Sequence, residues 1–413
     1  MGSGPPSESG IILPALKRLA ASLLLSLTSV AAVLLGLEGA LRAFRPQPVP
    51  FFASLFVEDP AVGMRHRPNL RARMPSEASG SVDVRINSRG YRGREYPWDR
   101  PAGFRILGLG DSFAFGFGVE EDDTYLARLE RALASDHVEV INAGLAGMGP
   151  DNEAALLAAD GGALRPDLVL LGLFVGNDLA DALTGPMRTR LREDGPFVPD
   201  DVLERWYRPL RPGVLLARPL PHPSTARSTT LPVPFKTFLR RHSHAYRFLS
   251  GRLGRWRLAA RGAPAAAPAD FTVFHTEAFC LQAYPPELDE AWARARSALT
   301  AVQSWCGAHG AKLAVVVIPT EAQVYPERWT ETRRRFDLRA EDFDLEKPQR
   351  ILAAFAGENA IPLIDLLEPL RAARATGGPL YFTTDIHWTP RGHAVAADEI
   401  LRQLQARALV PPP

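Results

Sequence analysis

The sequence is poor in cysteine and carries almost no net charge. Its 413 residues include two cysteines, Cys280 and Cys306, which can form at most one disulfide. They do not form a Cys-x-x-Cys pair, so a zinc ribbon and a redox pair are both excluded. A formal net charge of +2 is too small to indicate a nucleic-acid partner. We therefore expect no nucleic-acid partner, no metal centre and no cofactor.

Several common motifs are also absent. A dinucleotide-binding fingerprint would need glycine at position 113, where the chain has Phe113. The nucleophile elbow of α/β-hydrolases would need glycine at position 114, where it has Ala114. The sequence also lacks the lysine that is characteristic of a phosphate-binding loop. These absences exclude the usual nucleotide sites and the α/β-hydrolase motif.

A long uncharged run lies near the N-terminus. Leu19 to Leu37 contains no charge and follows Lys17 and Arg18. At 1.5 Å per residue, a helix of this length just spans a hydrocarbon core of about 30 Å. Three interpretations are open: an uncleaved anchor, a cleaved signal peptide and a buried core helix. We favour a single-pass membrane anchor over residues 19–41.

The charges beside this run bear on its orientation. Lys17, Arg18 and the α-amine slightly outnumber Arg42 and Arg45 on the other side. An excess of positive charge favours the cytoplasmic side. We therefore predict a cytoplasmic tail over 1–18 and a catalytic domain on the extracytoplasmic side.

Residues 42–103 form a predicted linker and a small β accessory segment. Val82, Val84 and Ile86 alternate with polar residues, as in a half-buried strand. The turn signal Asn87-Ser88-Arg89-Gly90 follows them.

From Phe104 onward the sequence alternates between apolar strands and amphipathic helices. The strands are uninterrupted apolar runs, which are typical of parallel strands covered on both faces. They are predicted at 104–109, 138–141, 168–175, 313–318 and 361–364. Helices are predicted at 124–134, 151–159, 288–308, 346–357 and 392–406. The pattern predicts an α/β domain over 104–410 with a doubly wound parallel sheet, interrupted by a proline-rich insertion at 181–285.

Polar residues follow the first three strands. Strand one leads into Gly110-Asp111-Ser112-Phe113, strand two into the glycine-rich turn 142–147, and strand three into Gly176-Asn177-Asp178. Each has an ordinary structural explanation, since serine, asparagine and aspartate also cap helices. In a sheet ordered 2-1-3-4-5, however, strands one and three flank the crevice where ligands bind. Ser112 and Asn177 would then face each other across that crevice.

A fourth candidate block precedes the last helix. Asp385 and His387 lie two residues apart, so they can supply a base and the carboxylate that fixes its tautomer. A metal site formed by Asp385, His387 and His393 is the alternative.

These four blocks resemble, in order and context, the motifs of the SGNH hydrolases, also called GDSL esterases. The resemblance implies a flavodoxin-like three-layer α/β/α fold with Ser112 as nucleophile and His387 as base, paired with Asp385. It also implies that the N–H groups of Ser112 and Gly147 and the amide of Asn177 form the oxyanion hole.

The closing block departs from the commonest pattern of that family. There the aspartate lies three residues before the histidine, a position that Thr384 occupies here. The spacing Asp-x-His-Trp, together with Pro319-Thr320-Glu321 and Tyr325, is similar to the branch that contains alginate and other polysaccharide O-acetyltransferases.

Three functions are compatible with these residues. The first is a serine-dependent hydrolase that removes acyl groups, above all acetyl, from a cell-envelope carbohydrate or a small ester. The second is an O-acyltransferase that acetylates an exported polysaccharide through the same acyl-serine intermediate. The third is a non-catalytic, anchored carbohydrate-binding protein.

Overall fold

The computed structural model describes most of the predicted elements. The described residues are 9–45, 51–97, 103–133, 138–183, 190–192, 195–197, 210–211, 214–215, 239, 242–250, 252 and 275–411. The central part of the predicted insertion and the first eight residues lie outside this set. The chain divides into two units, one of residues 1–50 and 227–267, the other of 51–226 and 268–413.

In the first unit, a single long helix, α1 (Ser9–Phe44), contains the apolar run. It is longer than the predicted span, because the helix continues through Glu38 and Arg42. Residues 21–44 have the length and hydropathy to cross a membrane, and none of the most apolar window is buried. The glutamate accepts hydrogen bonds from the hydroxyl of Ser243 and from the N–H groups of His244 and Ala245. A short helical segment at 244–250 is thereby attached to the end of α1.

The second unit contains the remaining elements. Its strands are β1 Phe56–Asp59, β2 Gly63–His66, β3 Arg71–Ser76, β4 Gly80–Arg85, β5 Phe104–Leu109, β6 Val138–Asn142, β7 Leu168–Phe174, β8 Arg190–Arg192, β9 Gly195–Phe197, β10 Leu210–Arg211, β11 Val214–Leu215, β12 Lys312–Ile318 and β13 Leu363–Asp365. Its helices are α2 Phe51–Leu55, α3 Ser112–Phe115, α4 Tyr125–Ala132, α5 Pro150–Leu164, α6 Asp178–Asp181, α7 Pro286–His309, α8 Glu321–Val324, α9 Pro326–Phe336, α10 Lys347–Glu358, α11 Leu367–Arg374 and α12 Pro390–Ala406. Short 3₁₀ helices lie at Glu121–Asp123, Ala278–Cys280 and Ala340–Asp342.

The central sheet has five parallel strands in the order β6-β5-β7-β12-β13. Numbered along the chain, this is the predicted order 2-1-3-4-5. The α/β fold class with a five-stranded parallel sheet and an N-terminal apolar helix is therefore confirmed. The carboxyl ends of β5 and β7, which are neighbours in the sheet, bring the loops after them together.

Side chains of the strands alternate between two hydrophobic cores. Leu168 and Leu170 face one core, whereas Val169 and Leu171 face the other. Helices α5, α7 and α10 cover one face, and α4, α11 and α12 cover the other. This produces the three-layer α/β/α arrangement.

The β segment that precedes the sheet consists of two antiparallel hairpins, β1–β2 and β3–β4. Its apolar side chains, including Phe56, Met64 and Val82, belong to the same core as β5, α5 and α7. The predicted alternation at Val82, Val84 and Ile86 is found in β4 and just after it, with all three side chains buried.

Candidate active site

A sharp turn after β5 presents Ser112 at the edge of the sheet. Gly110 has φ +142°, and a Cβ atom there would lie 2.8 Å from the carbonyl oxygen of Gly172 on β7. Only glycine fits this conformation and this close approach. The carboxylate of Asp111 then caps α3 by accepting the N–H of Phe113 at 2.8 Å. Ser112 begins α3 and is half-buried, so its hydroxyl is held in place and still accessible.

The structure brings Ser112, His387 and Asp385 together. Nε2 of His387 lies 2.6 Å from Oγ of Ser112. Nδ1 of the same ring is hydrogen-bonded to the carboxylate of Asp385, which also accepts the backbone N–H of His387 at 3.0 Å. A carboxylate at Nδ1 stabilises the tautomer with the proton on that nitrogen, so Nε2 is left to accept the serine proton.

The loop around His387 is closed by backbone hydrogen bonds. The carbonyl of His387 accepts the N–H of Phe382 at 2.9 Å, and the carbonyl of Leu380 accepts the N–H of Thr389 at 2.9 Å. The imidazole packs against the rings of Phe113 and Phe117, with centroid distances of 5.1 and 4.7 Å. These contacts hold the ring at the serine.

Asp385 is suited to remain ionised beside the imidazole. Partial burial raises its pKa, but the hydrogen bonds and positive charge of His387 outweigh this and lower the pKa below its usual value. Asp385 is therefore a carboxylate across the neutral pH range and can stabilise an imidazolium at His387.

Two backbone N–H groups beside Ser112 are available to bind an oxyanion. Among the described residues, neither the N–H of Ser112 nor that of Gly147 donates to a protein acceptor. The loop that contains Gly147 contacts the serine turn directly, since a Cβ on Gly144 would lie 2.3 Å from the backbone nitrogen of Phe115. This close approach requires glycine at 144 and places the two loops side by side.

Asn177 follows β7, the strand next to that of Ser112, and its amide is oriented by a carboxylate. Nδ2 donates to Asp181 at 2.6 Å, whereas Oδ1 is buried without a hydrogen-bond partner in the described structure. An amide nitrogen carries two hydrogens, so the second remains available to a ligand. Asn177 also precedes α6, but its side chain makes no capping hydrogen bond there. This excludes the ordinary explanation of Asn177 as a side-chain helix cap.

Four carboxyl groups in or near these loops were missed by sequence reasoning: Asp111, Glu153 and Asp178 are fully buried, and Asp181 is partly buried. Burial raises the pKa of Asp111 to about 6 and that of Asp181 to about 7. Burial also raises the pKa values of Glu153 and Asp178 well above the ordinary range. Protonation of such carboxyls limits the negative charge near the proposed oxyanion site. An acidic residue inside an apolar helix, such as Glu153, is the one signal that points to them.

His393 lies in the first turn of α12 and does not join the site. Its ring is fully buried, and Nδ1 accepts the backbone N–H of Tyr125 at 3.3 Å. Within the described residues, no group of three or more His, Cys, Asp or Glu side chains is placed to hold a metal ion. Among the described residues, Asp385, His387 and His393 therefore do not come together as a group that could hold a metal ion.

The two cysteines are buried free thiols. Burial raises the pKa of Cys306 to about 12 and that of Cys280 also well above the usual value. They are packing residues of the core that contains α7, and they do not form a disulfide here.

A cleft of about 470 Å³ opens beside Asp385 and Ile386. Phe174 at the end of β7 also lines it, and Phe174 stacks on Phe113 next to Ser112. Its hydroxyl-bearing lining residues are Thr276, Thr320, Thr332, Thr383 and Thr384. Its charged lining residues include Glu277, Glu321, Glu331, Arg328 and Arg335. A polar lining of this kind suits a ligand rich in hydroxyl groups.

Residues 274–412 match the family model described as "SGNH hydrolase-like domain, acetyltransferase AlgX". This part of the chain is similar to an SGNH hydrolase-like domain. The matched region includes Asp385 and His387 and stops short of Ser112, Gly147 and Asn177, which lie earlier in the chain. The predicted resemblance to SGNH enzymes, with a closing block like that of polysaccharide O-acetyltransferases, is confirmed at the level of the family.

Curated proteins similar to this chain include two bacterial proteins named "Probable alginate O-acetylase AlgJ". The protein from Azotobacter vinelandii is 33% identical over 100 residues, which is 24% of each chain. The protein from Pseudomonas syringae pv. tomato is 36% identical over 91 residues, which is 22% of this chain and 21% of that protein. The alignments thus cover less than a quarter of the length of these relatives.

Solved structures similar to this chain include an acetyl xylan esterase, AlAXEase. It is 15% identical, with a TM-score of 0.37, and the alignment covers 72% of this chain and 98% of that one. TesA is 14% identical, with a TM-score of 0.34, and the alignment covers 73% of this chain and 98% of that one.

Proposed function

We propose that this protein is a membrane-anchored O-acetyltransferase that transfers acetyl groups to hydroxyls of an extracytoplasmic polysaccharide. The observation that carries the proposal is the contact of Ser112 with His387, whose ring is oriented by Asp385. The acetyltransferase family match over 274–412 and the two AlgJ relatives favour acetyl transfer to a polysaccharide.

The proposed first half-reaction loads the serine. Nε2 of His387 takes the proton of the Ser112 hydroxyl as Oγ attacks the carbonyl carbon of an acetyl ester donor. The negative charge that develops on the carbonyl oxygen is stabilised by the N–H groups of Ser112 and Gly147 and by the amide of Asn177. The protonated His387 then donates its proton to the leaving oxygen of the donor, and acetyl-Ser112 remains.

The proposed second half-reaction transfers the acetyl group from Ser112 to the acceptor. A sugar hydroxyl in the polar cleft gives its proton to His387 and attacks the acetyl carbon. The tetrahedral intermediate collapses, Oγ of Ser112 takes the proton back, and the acetylated sugar is released. If water attacks instead, the product is free acetate. Ester hydrolysis is therefore the second candidate function. Gly147 is exposed and Ser112 is only half-buried, so water can reach the site, which favours hydrolysis.

The deciding experiment follows the acetyl group. Full-length protein in detergent micelles is incubated with p-nitrophenyl acetate, with and without oligosaccharide acceptors. Release of p-nitrophenol, free acetate and acetylated sugar are each measured. Transfer predicts acetylated sugar at the expense of acetate when the acceptor is present, and hydrolysis predicts acetate alone.

Variants separate chemistry from binding. Ser112→Ala should abolish the formation of both free acetate and acetylated sugar while the protein stays folded. In the wild-type protein, a serine-reactive phosphonate should label Ser112. Asn177→Ala should lower kcat by roughly 10²–10³ with a smaller change in KM. A wild-type protein that binds oligosaccharide but yields neither product would contradict both enzymatic proposals and favour a carbohydrate-binding protein.

A further inference from the structure

Two consecutive residues at the end of β3 contact two different loops of the proposed active site. The hydroxyl of Ser76 donates to the carbonyl of Gly118, in the loop that follows the serine turn, at 2.7 Å. The carboxylate of Glu77 accepts the N–H of Thr383 at 2.7 Å, and both the N–H and the hydroxyl of Thr384, at 2.8 and 2.7 Å. Asp385 and His387 follow these threonines immediately.

The same β segment makes further contacts with the loop after Ser112 and also contacts the loop of Gly147. Arg92, fully buried, donates to the carbonyls of Phe115 at 2.8 Å, Gly116 at 2.5 Å and Val119 at 2.6 Å. These carbonyls form the turn that leads away from Ser112. Nε2 of His66, also fully buried, accepts the N–H of Ala146 at 3.3 Å, one residue before Gly147.

We infer that residues 51–97 are a positioning element of the active site, in which Glu77 holds the loop that presents Asp385 and His387. The inference rests on the proposed roles of Ser112, His387 and Asp385. Glu77 makes no hydrogen bond to any of the three, so it positions them through Thr383 and Thr384. Its negative charge also acts to raise the pKa of Asp385.

The local chemistry favours Glu77 for this role. Thr383 and Thr384 are exposed, so without the glutamate their N–H groups would bond to water and the loop would have fewer fixed conformations. Hydrogen bonds to an ionised carboxylate are stronger than those between neutral groups. The hydrogen bonds from Thr384 and Thr383 lower the pKa of Glu77 to about 2, so the carboxylate is charged throughout the working range.

Replacing this carboxylate tests the inference. In full-length protein in micelles, Glu77→Ala should lower kcat for p-nitrophenyl acetate roughly 10- to 100-fold, since a small misplacement of a catalytic group has an effect of this size. KM should change less than kcat, because Thr383 and Thr384 are the two residues of the cleft lining that are hydrogen-bonded to Glu77. The rate at which a fluorophosphonate labels Ser112 should fall in parallel.

Glu95 provides a matched control. Its carboxylate accepts the N–H and the hydroxyl of Ser88, at 2.8 and 2.7 Å, in an exposed turn of the same segment. Glu95→Ala removes the same kind of contact away from the catalytic loops and should leave kcat unchanged. If Glu77→Ala kept the wild-type kcat, or if both variants lost activity in proportion to a lower Tm, the positioning role would be overturned.

Two milder variants cover the case in which Glu77→Ala does not fold. Glu77→Gln keeps an oxygen acceptor but loses the charge, and Thr384→Val loses only the hydroxyl contact. We expect kcat to be highest in the wild-type protein, lower in Thr384→Val and lowest in Glu77→Gln. Equal kcat values in all three proteins would overturn the inference. Wild-type protein without any ester turnover would instead contradict the proposed function, so the two failures are distinguishable.

Discussion

His387 and His393 lie six residues apart, yet their surroundings give them different tasks. His387 is half-buried, contacts Ser112 and has Asp385 at its other nitrogen. His393 is fully buried, stacks on Tyr125 and has its pKa lowered to about 3 by burial. A ring that is neutral at every working pH and enclosed by the core is a packing group.

Substitution of the two histidines should therefore separate activity from stability. His387→Ala should lower kcat by at least about 10³ with little effect on Tm, as expected for the loss of a triad member. His393→Ala should lower Tm by several degrees, through the cavity it leaves, and the folded fraction should keep its activity. The measurements are kcat per phosphonate-titrated site and Tm for each variant. A stable but inactive His393→Ala protein would contradict this assignment.

Asp181 makes the stability of the protein depend on pH. Burial raises its pKa from 3.8 to about 7, so between these values the folded state keeps a proton that the unfolded chain has lost. Stability from this group is therefore present at low pH and is lost as the pH rises through that window. Asp181→Asn, which has no proton to lose, should flatten the decline by on the order of 3 kcal/mol between pH 4 and 7. Urea unfolding at several pH values checks this, and identical slopes for the two proteins would refute it.

The strands of the central sheet could be predicted from sequence because burial on both faces requires uninterrupted apolar runs. Predicted and observed bounds differ by two residues or fewer at each strand end, including the start of the short edge strand β13. Helix α9 (Pro326–Phe336) was missed because none of its residues is buried, so it has no apolar stripe. It has a proline in its first turn, its partly buried Trp329 and Phe336 pack against the core, and Arg328 forms ion pairs with Glu321 and Glu331.

The catalytic candidates could be found from sequence because each follows a strand or precedes a helix, where parallel topology gathers them. The residues that position these candidates could not be found from sequence. Glu77 is an exposed glutamate whose partner Thr384 lies 307 positions away in the chain. His66 and Arg92 are fully buried polar residues in a segment with otherwise ordinary β alternation. Such contacts depend on tertiary structure, and no local pattern encodes them.

The charge of the cleft should determine whether a neutral or a negatively charged acceptor is preferred. Its lining contains more carboxylates than arginines: Glu277, Glu321, Glu331 and Asp385 against Arg328 and Arg335. A polyuronate would meet repulsion there, so a neutral oligosaccharide should be acetylated with the higher kcat/KM. Because salt screens exposed charges, the difference should narrow at high ionic strength.

A charge reversal at the rim of the cleft makes this prediction specific. Glu331→Lys, at a side chain that is 70% exposed, should raise kcat/KM for a polyuronate and leave that for the neutral acceptor unchanged. Glu341→Lys, equally exposed but not part of the lining, is the control. A wild-type preference for polyuronate would show that the cleft is not the acceptor site.

For the molecule as a whole, the exposure of α1 argues against one of the three interpretations of the N-terminal run, the buried core helix. Large apolar side chains such as Leu23, Leu27 and Leu35 are more than half exposed, so the helix is not a core element of the fold. Covering such a helix with hydrocarbon stabilises it by roughly 25 cal/mol per Å² of apolar surface. An uncleaved anchor and a cleaved signal peptide remain, and they predict different fates for the full-length protein.

If the helix is an anchor, the full-length protein should stay with the membrane after washing with alkaline carbonate. A protease site introduced at 46–50, between α1 and α2, should release residues 51–413 into the supernatant only after cleavage. Replacing Leu25 and Leu27 by glutamate places two charges in the apolar run, and each charge costs about 2.5–3.5 kcal/mol in a membrane centre. That variant should lose membrane retention while its ester hydrolysis in micelles is unchanged. If mass spectrometry found the mature chain beginning beyond residue 31, the helix would be a signal peptide. The proposed acetylation of a polymer outside the membrane would then be carried out by a released enzyme.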